Sequence, residues 1–155
     1  MKICNKILLV ICMAFVSGML AQAAEHRVKM TDLPPAVQAA VKEQSKGATI
    51  RRLTTETENG KRLYEAEMTV NGHGKDIEID SNGKVVEVEE VVPLASIPEA
   101  AKDAIEKSAA KGSVLKVEAV SHEGSVVAYE ALVKKAGRRS EVRVDPQGNP
   151  APESD

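Results

Sequence analysis

The sequence predicts an α+β fold of two tandem units, each one helix packed on a three- to four-stranded antiparallel sheet. Three observations carry this. The chain repeats itself: LPPAVQAAVKE (residues 33–43) returns as IPEAAKDAIEK (97–107), TENG as SHEG, YEA (64–66) as YEA (129–131), and DIEIDSNG (76–83) as EVRVDPQG (141–148). Ordered matches at a nearly constant spacing mark duplication of one supersecondary unit. Each copy opens with apolar residues at helical spacing, and each continues with period-two alternation broken by glycine turns.

The first element is the N-terminal leader. Lys2 and Lys6 precede an uncharged apolar run over residues 7–20, and AQA comes directly after it. This is the pattern of an export signal, too short to span a bilayer comfortably, with cleavage expected near Ala23/Ala24. Residues 1–23 are therefore assigned as a signal peptide, and the mature protein is expected in the periplasm or secreted. Both cysteines, Cys4 and Cys12, fall in this leader, so the mature chain has no thiol chemistry and no disulfide.

The first unit is expected over residues 31–92. Val37, Ala40, Val41 and Gln44 form the apolar stripe of its helix, with Asp32 as its cap and Pro34 at its start. Tyr64, Ala66, Met68 and Val70 alternate with Glu65, Glu67 and Thr69, and Ile77 and Ile79 alternate with Asp76, Glu78 and Asp80. Residues 84–92 add a further strand. Residues 93–97 form the junction.

The second unit is expected over residues 96–148. Ala101, Ala104, Ile105 and Ser108 form its helical stripe; Ser96 and Glu99 read as a capping box, with Pro98 in the first turn. Gly47 and Gly112 are placed at the helix ends. Tyr129, Ala131 and Val133, then Val142 and Val144, repeat the strand alternation. NPAPESD (residues 149–155) reads as a disordered polar tail.

Composition narrows the function. Without Lys2 and Lys6, the 21 basic residues become 19 against 23 acidic, a net charge of −4 with histidine neutral. That balance gives no general attraction to nucleic acid. The only aromatics beyond the leader are Tyr64 and Tyr129, which leaves no stacking platform for single strands. No membrane association is expected after signal cleavage. His26, His73 and His122 are scattered and make no ligand motif, no Gly-x-Ser-x-Gly elbow occurs, and no cofactor is implied. The sequence thus predicts a protein that is not an enzyme.

Two charged sets remain as candidate binding residues. Glu65, Glu67 and Glu78 fall on one sheet face with Asp80, and Glu130 is the second copy's counterpart of Glu65; Glu87, Glu89 and Glu90 lie nearby. Lys134, Lys135, Arg138 and Arg139 crowd a hairpin tip. Tyr64, Tyr129, Pro34 and Pro98 are read as structural, with both tyrosines pointing toward the helix layer.

The stretches LPPAVQAAVK, NGKRLYEAEMTV and KDIEIDSNGKVVEVEE resemble the PepSY and PepSY-like domains of exported bacterial proteins, with weaker echoes in the second copy. The likeness extends over nearly all of the chain beyond the leader. It implies a binding role: PepSY domains accompany thermolysin-type proteases in their propeptides, and tandem PepSY-like units are similar to β-lactamase inhibitor proteins, which grip an enzyme with a concave sheet. Those inhibitors are rich in aromatics and carry disulfides, whereas this chain beyond its leader has two aromatics and no cysteine. The expectation is an exported module that engages a protein or peptide and modulates a secreted or periplasmic protease. The alternative is an envelope protein that binds a small ligand or a metal ion.

Overall fold

A computed structural model describes residues 25–58 and 60–152. The expected signal peptide, its cysteines and residues 153–155 lie outside the described residues. The strands are β1 (His26–Arg27), β2 (Ala48–Glu58), β3 (Lys61–Val70), β4 (His73–Asp80), β5 (Val85–Val91), β6 (Ser113–His122), β7 (Ser125–Lys135) and β8 (Arg138–Val144); the helices are α1 (Pro35–Gln44) and α2 (Glu99–Ala109).

The strands form one antiparallel sheet in the order β1 to β8. This corrects the expected pair of tandem units, each one helix on a three- to four-stranded sheet. The finding that overturns it is the β5–β6 ladder, where Val88, Glu89, Glu90 and Val91 pair with Ser121, Val120, Ala119 and Glu118. An unpaired β5 would leave a row of N–H and C=O groups open, and pairing with β6 satisfies them. Two apolar clusters lie on one face of that sheet. Leu33, Val37 and Val41 pack over Leu53, Tyr64, Ala66, Met68, Ile77 and Ile79. Ile97, Ala101, Ile105 and Ala109 pack over Val117, Ala131, Val133 and Val144.

Strand alternation decides which side chains reach the helices. Tyr64, Ala66 and Met68 are buried beneath α1, as their register predicts, and Glu65 and Glu67 point the other way. Tyr129 packs at the edge of the second cluster, only partly buried.

The helix ends differ from expectation. Pro34 and Pro98 are themselves the N-cap residues, and their carbonyls accept from Gln38 N at 2.9 Å and Lys102 N at 3.0 Å. Asp32 and Ser96 instead close short 3-10 turns just before the helices, and Ser96 Oγ donates to the Pro93 carbonyl at 2.7 Å. The proline's fixed φ sets the entry into each helix, so the expected side-chain caps have no role. α1 ends at Ser45, α2 at Ala110 with φ 51°, and Ala109 takes the buried place expected of Ser108. Beyond β8 the chain turns back: Pro150 bridges Val144, and Ala151 N donates to the Arg143 carbonyl at 3.1 Å. The stretch expected to be disordered from residue 149 thus pairs beside β8 as far as Ala151.

Candidate functional site: a recessed anionic sheet face

Both helices cover one face of the sheet, so the side chains of opposite parity line a face that no helix covers among the described residues. Register brings carboxylates from strands β2 to β7 and the leading segment to that face. Glu65 stands opposite Thr54 and Glu78, Glu67 opposite Arg52 and Asp76, and Glu78 opposite Glu87. Glu25, Glu56, Glu65, Asp76, Glu78, Glu87 and Glu89 line a groove of 480 Å³. Farther along the same face, Glu118 is buried, and so are Val120 and its opposite number Ala128. Burial of these three on the side away from the helices marks that face as recessed.

Crowding and burial raise the proton affinity of the groove. Burial pushes Glu65 up to about 7, against the opposing hydrogen bond from Thr54 Oγ1 at 2.9 Å. Hydrogen bonding to Thr54 holds the neighbouring Glu25 down, so Glu65 keeps the proton of that pair. Burial, reinforced by Glu130, Glu118 and Glu87, pushes Glu89 up to about 8. Asp76 and Glu130 are also raised, burial being the largest cause in both. Desolvation and like charge both disfavour the ionised form, and such groups mark functional faces more often than chance.

The chain supplies partial counter-charge. Arg52 binds Glu67 and reaches Glu25 at 3.3 Å, and Arg51 reaches Asp76 at 3.4 Å. Lys116 pairs with Glu118 at 2.6 Å, while Arg143 reaches Glu87 and Glu130, each at 3.3 Å. His122 Nε2 lies 2.8 Å from Glu87. Carboxylate oxygens of Glu25, Glu65 and Glu67 converge within 4.8 Å of one another, as do those of Asp76, Glu89 and Glu118. Those two sets have the ligand chemistry and the spacing to take a hard divalent cation.

The sequence-predicted residues separate into two places. Glu65 and Glu78 line the groove, and Glu67 borders it in the grip of Arg52. Glu130 lies on the same face, beyond the groove, beside Arg143. Asp80 turns its carboxylate onto the backbone N–H groups of Asn82 and Lys84, at 2.8 and 2.9 Å. Glu90 points to the helix side and pairs with Lys75 at 3.2 Å. Lys134, Lys135, Arg138 and Arg139 are exposed at the β7–β8 tip and line none of the groove. Sequence reasoning missed Glu25, Glu56, Glu118 and Arg143. Alternation in Lys116-Val117-Glu118 was a signal for Glu118; the others depend on strand pairing between distant segments.

The family model described as "beta-lactamase-inhibitor-like, PepSY-like" matches residues 19–69 and 62–150. A protein described as periplasmic from Bacteroides eggerthii shares the fold at a TM-score of 0.62 and 19% identity, covering 76% of this chain and 85% of its own. A DUF2874 family protein from Bacteroides uniformis matches at a TM-score of 0.60 and 20% identity, covering 76% and 85%. A BLIP-like protein from Bacteroides fragilis matches at 0.55 and 21% identity, covering 79% and 86%. A search of curated proteins returns no significant match. Neither the family description nor that of any of these three neighbours is of an enzyme, and among the described residues no helix is long and apolar enough to cross a membrane. With the family match running from residue 19 to residue 150, the chain belongs to the PepSY-like, beta-lactamase-inhibitor-like family.

Proposed function

We propose that this protein is an exported, non-enzymatic binding module that presents its recessed anionic sheet face to a cationic segment of a protein or peptide. The observation that carries the reading is the groove lined by seven carboxylates on the face that no helix covers among the described residues. Low-dielectric walls of one charge sign focus the field on an incoming opposite charge. A Lys or Arg side chain entering the groove would offset the burial and the like charge that raise the proton affinity of Glu65 and Glu89. The leader pattern and the periplasmic description of a structural relative support an envelope location. The family's inhibitor-like description favours an exported enzyme as the partner, and the resemblance to PepSY-bearing propeptides favours a protease.

The test is titration of a labelled Lys/Arg-rich peptide, with its Asp/Glu counterpart as control, at pH 8.5 and pH 5.5. Saturable binding of the cationic peptide is expected, tighter at the higher pH and weaker in salt. The Glu65→Gln/Glu78→Gln double variant should bind about tenfold or more weakly. Equal binding of the two peptides, or none, refutes the reading.

A divalent cation is the second reading, favoured by the two convergent carboxylate sets. It ranks lower because Arg52 and Lys116 already sit in them as internal cations. A rise in melting temperature of several degrees with calcium or magnesium, absent in Glu65→Gln, would support it; unchanged melting would remove it.

A further inference from the structure

We infer that β8 is a self-pairing edge, through which two copies of this chain join antiparallel about Ser140 and continue the sheet across the pair. The inference is independent of what the anionic face binds. β8 ends the sheet, and among the described residues nothing pairs with its outer side over residues 138–142. The returning segment after β8 fixes the direction of the strand's free backbone groups. Ala151 N donates to the Arg143 carbonyl at 3.1 Å, and Asp145 N donates to the Asn149 carbonyl at 2.9 Å. Residues 143 and 145 therefore turn their backbone groups away from β7. Alternation along the strand turns those of Glu141 and Arg139 the same way.

Register selects the partner. Antiparallel pairing about Ser140 sets Arg139 opposite Glu141 of the other copy, and does so twice by symmetry. Each of these pairs has both backbones facing the contact, so it exchanges two N–H···O bonds, four in all. Centring the pair on residue 139 would set Arg139 against itself, and centring it on residue 141 would set Glu141 against itself. Like charges directly opposite are destabilising, so the arrangement about Ser140 is the favoured one. Its four bonds make no use of the Arg143 carbonyl, which already accepts from Ala151. Arg139 and Glu141 are both exposed, and Glu141 stands diagonal to the like-charged Glu130, so a cation from a second copy is welcome there. Such an isologous contact closes on itself and leaves the opposite sheet edge outside it.

Sedimentation of the purified protein from micromolar to millimolar concentration tests this. Weight-average mass should climb toward twice the monomer and fall back in high salt. Arg139→Glu and Glu141→Arg should each leave a monomer, and the exchange variant R139E/E141R should restore the dimer. Glu141→Pro removes an outward N–H without touching the β7–β8 ladder, and should be a folded monomer by circular dichroism. A wild-type protein that stays monomeric throughout overturns the inference. So do single variants that still dimerise, or an exchange variant that does not.

Discussion

Glu65 shows how one position can serve stability poorly while defining a binding face. Its alternation with Tyr64 and Ala66 buries the neighbours under α1 and leaves the glutamate among carboxylates. With a folded-state pKa near 7 for Glu65 and 8 for Glu89, against 4.5 ordinarily, the folded protein holds protons that the unfolded chain has lost. Stability should then fall as pH rises from about 4.5 to 8, with up to about one proton per glutamate released. Asp80 and Asp145 act in the opposite sense, because hydrogen bonds from the Lys84 backbone and the Asn149 side chain, respectively, lower their pKa. Their contribution is present above the ordinary aspartate value of 3.8 and is lost in acid below it. Melting temperature should therefore peak mildly acid, and Glu65→Gln and Glu89→Gln should each raise it at pH 8.5 and flatten its decline. An unchanged pH profile in both variants would contradict the burial assigned to these carboxylates.

At the scale of elements, two turns are each seated against a helix. Asp80 Oδ1 accepts from Asn82 N and Lys84 N, and Asp145 Oδ1 accepts from Gln147 N and Asn149 N, each at 2.8 or 2.9 Å. Each aspartate thereby shapes a turn whose glycine lies against the first turn of a helix. Gly83 has φ +85° and a methyl there would meet the Ala36 carbonyl at 2.7 Å; Gly148 has φ +82° and a methyl would overlap the Ala100 carbonyl. Gly83→Ala and Gly148→Ala should each cost roughly 1–3 kcal/mol from backbone strain, with the steric overlap added. Denaturant melts check this against Gly124→Ala, which has the same left-handed backbone and open space around it. If all three variants lose the same amount, the close turn–helix contact contributes nothing.

For the whole molecule, the continuous sheet makes the two clusters one cooperative body. The β5–β6 ladder and Val92, whose N–H donates to the Val117 carbonyl at 3.0 Å, couple them directly. Calorimetry should show a single transition with matching calorimetric and van't Hoff enthalpies. Tyr64→Ala, a large-to-small change in the first cluster, should cost roughly 3–5 kcal/mol. It should move the entire transition; a split into two steps would mean that the halves unfold separately.

The two helices, the strand parities and the glycine turns were legible in the sequence, because each depends on neighbours three or four residues away along a helix, or two along a strand. The same parity sent Glu65, Glu67 and Glu78 away from the helices before any contact was known. Helix capping misled because Ser96 and Glu99 match a local pattern that the preceding prolines make redundant. What local pattern cannot carry is pairing between distant strands. Only the tertiary structure joined β5 to β6 and made the sheet one of eight strands. It also brought Glu25, Glu56 and Glu118 to a shared face, and the shifted proton affinities arise from that crowding and burial. The sequence by itself determined which way each side chain points; the register between strands decided which charges would have to live together.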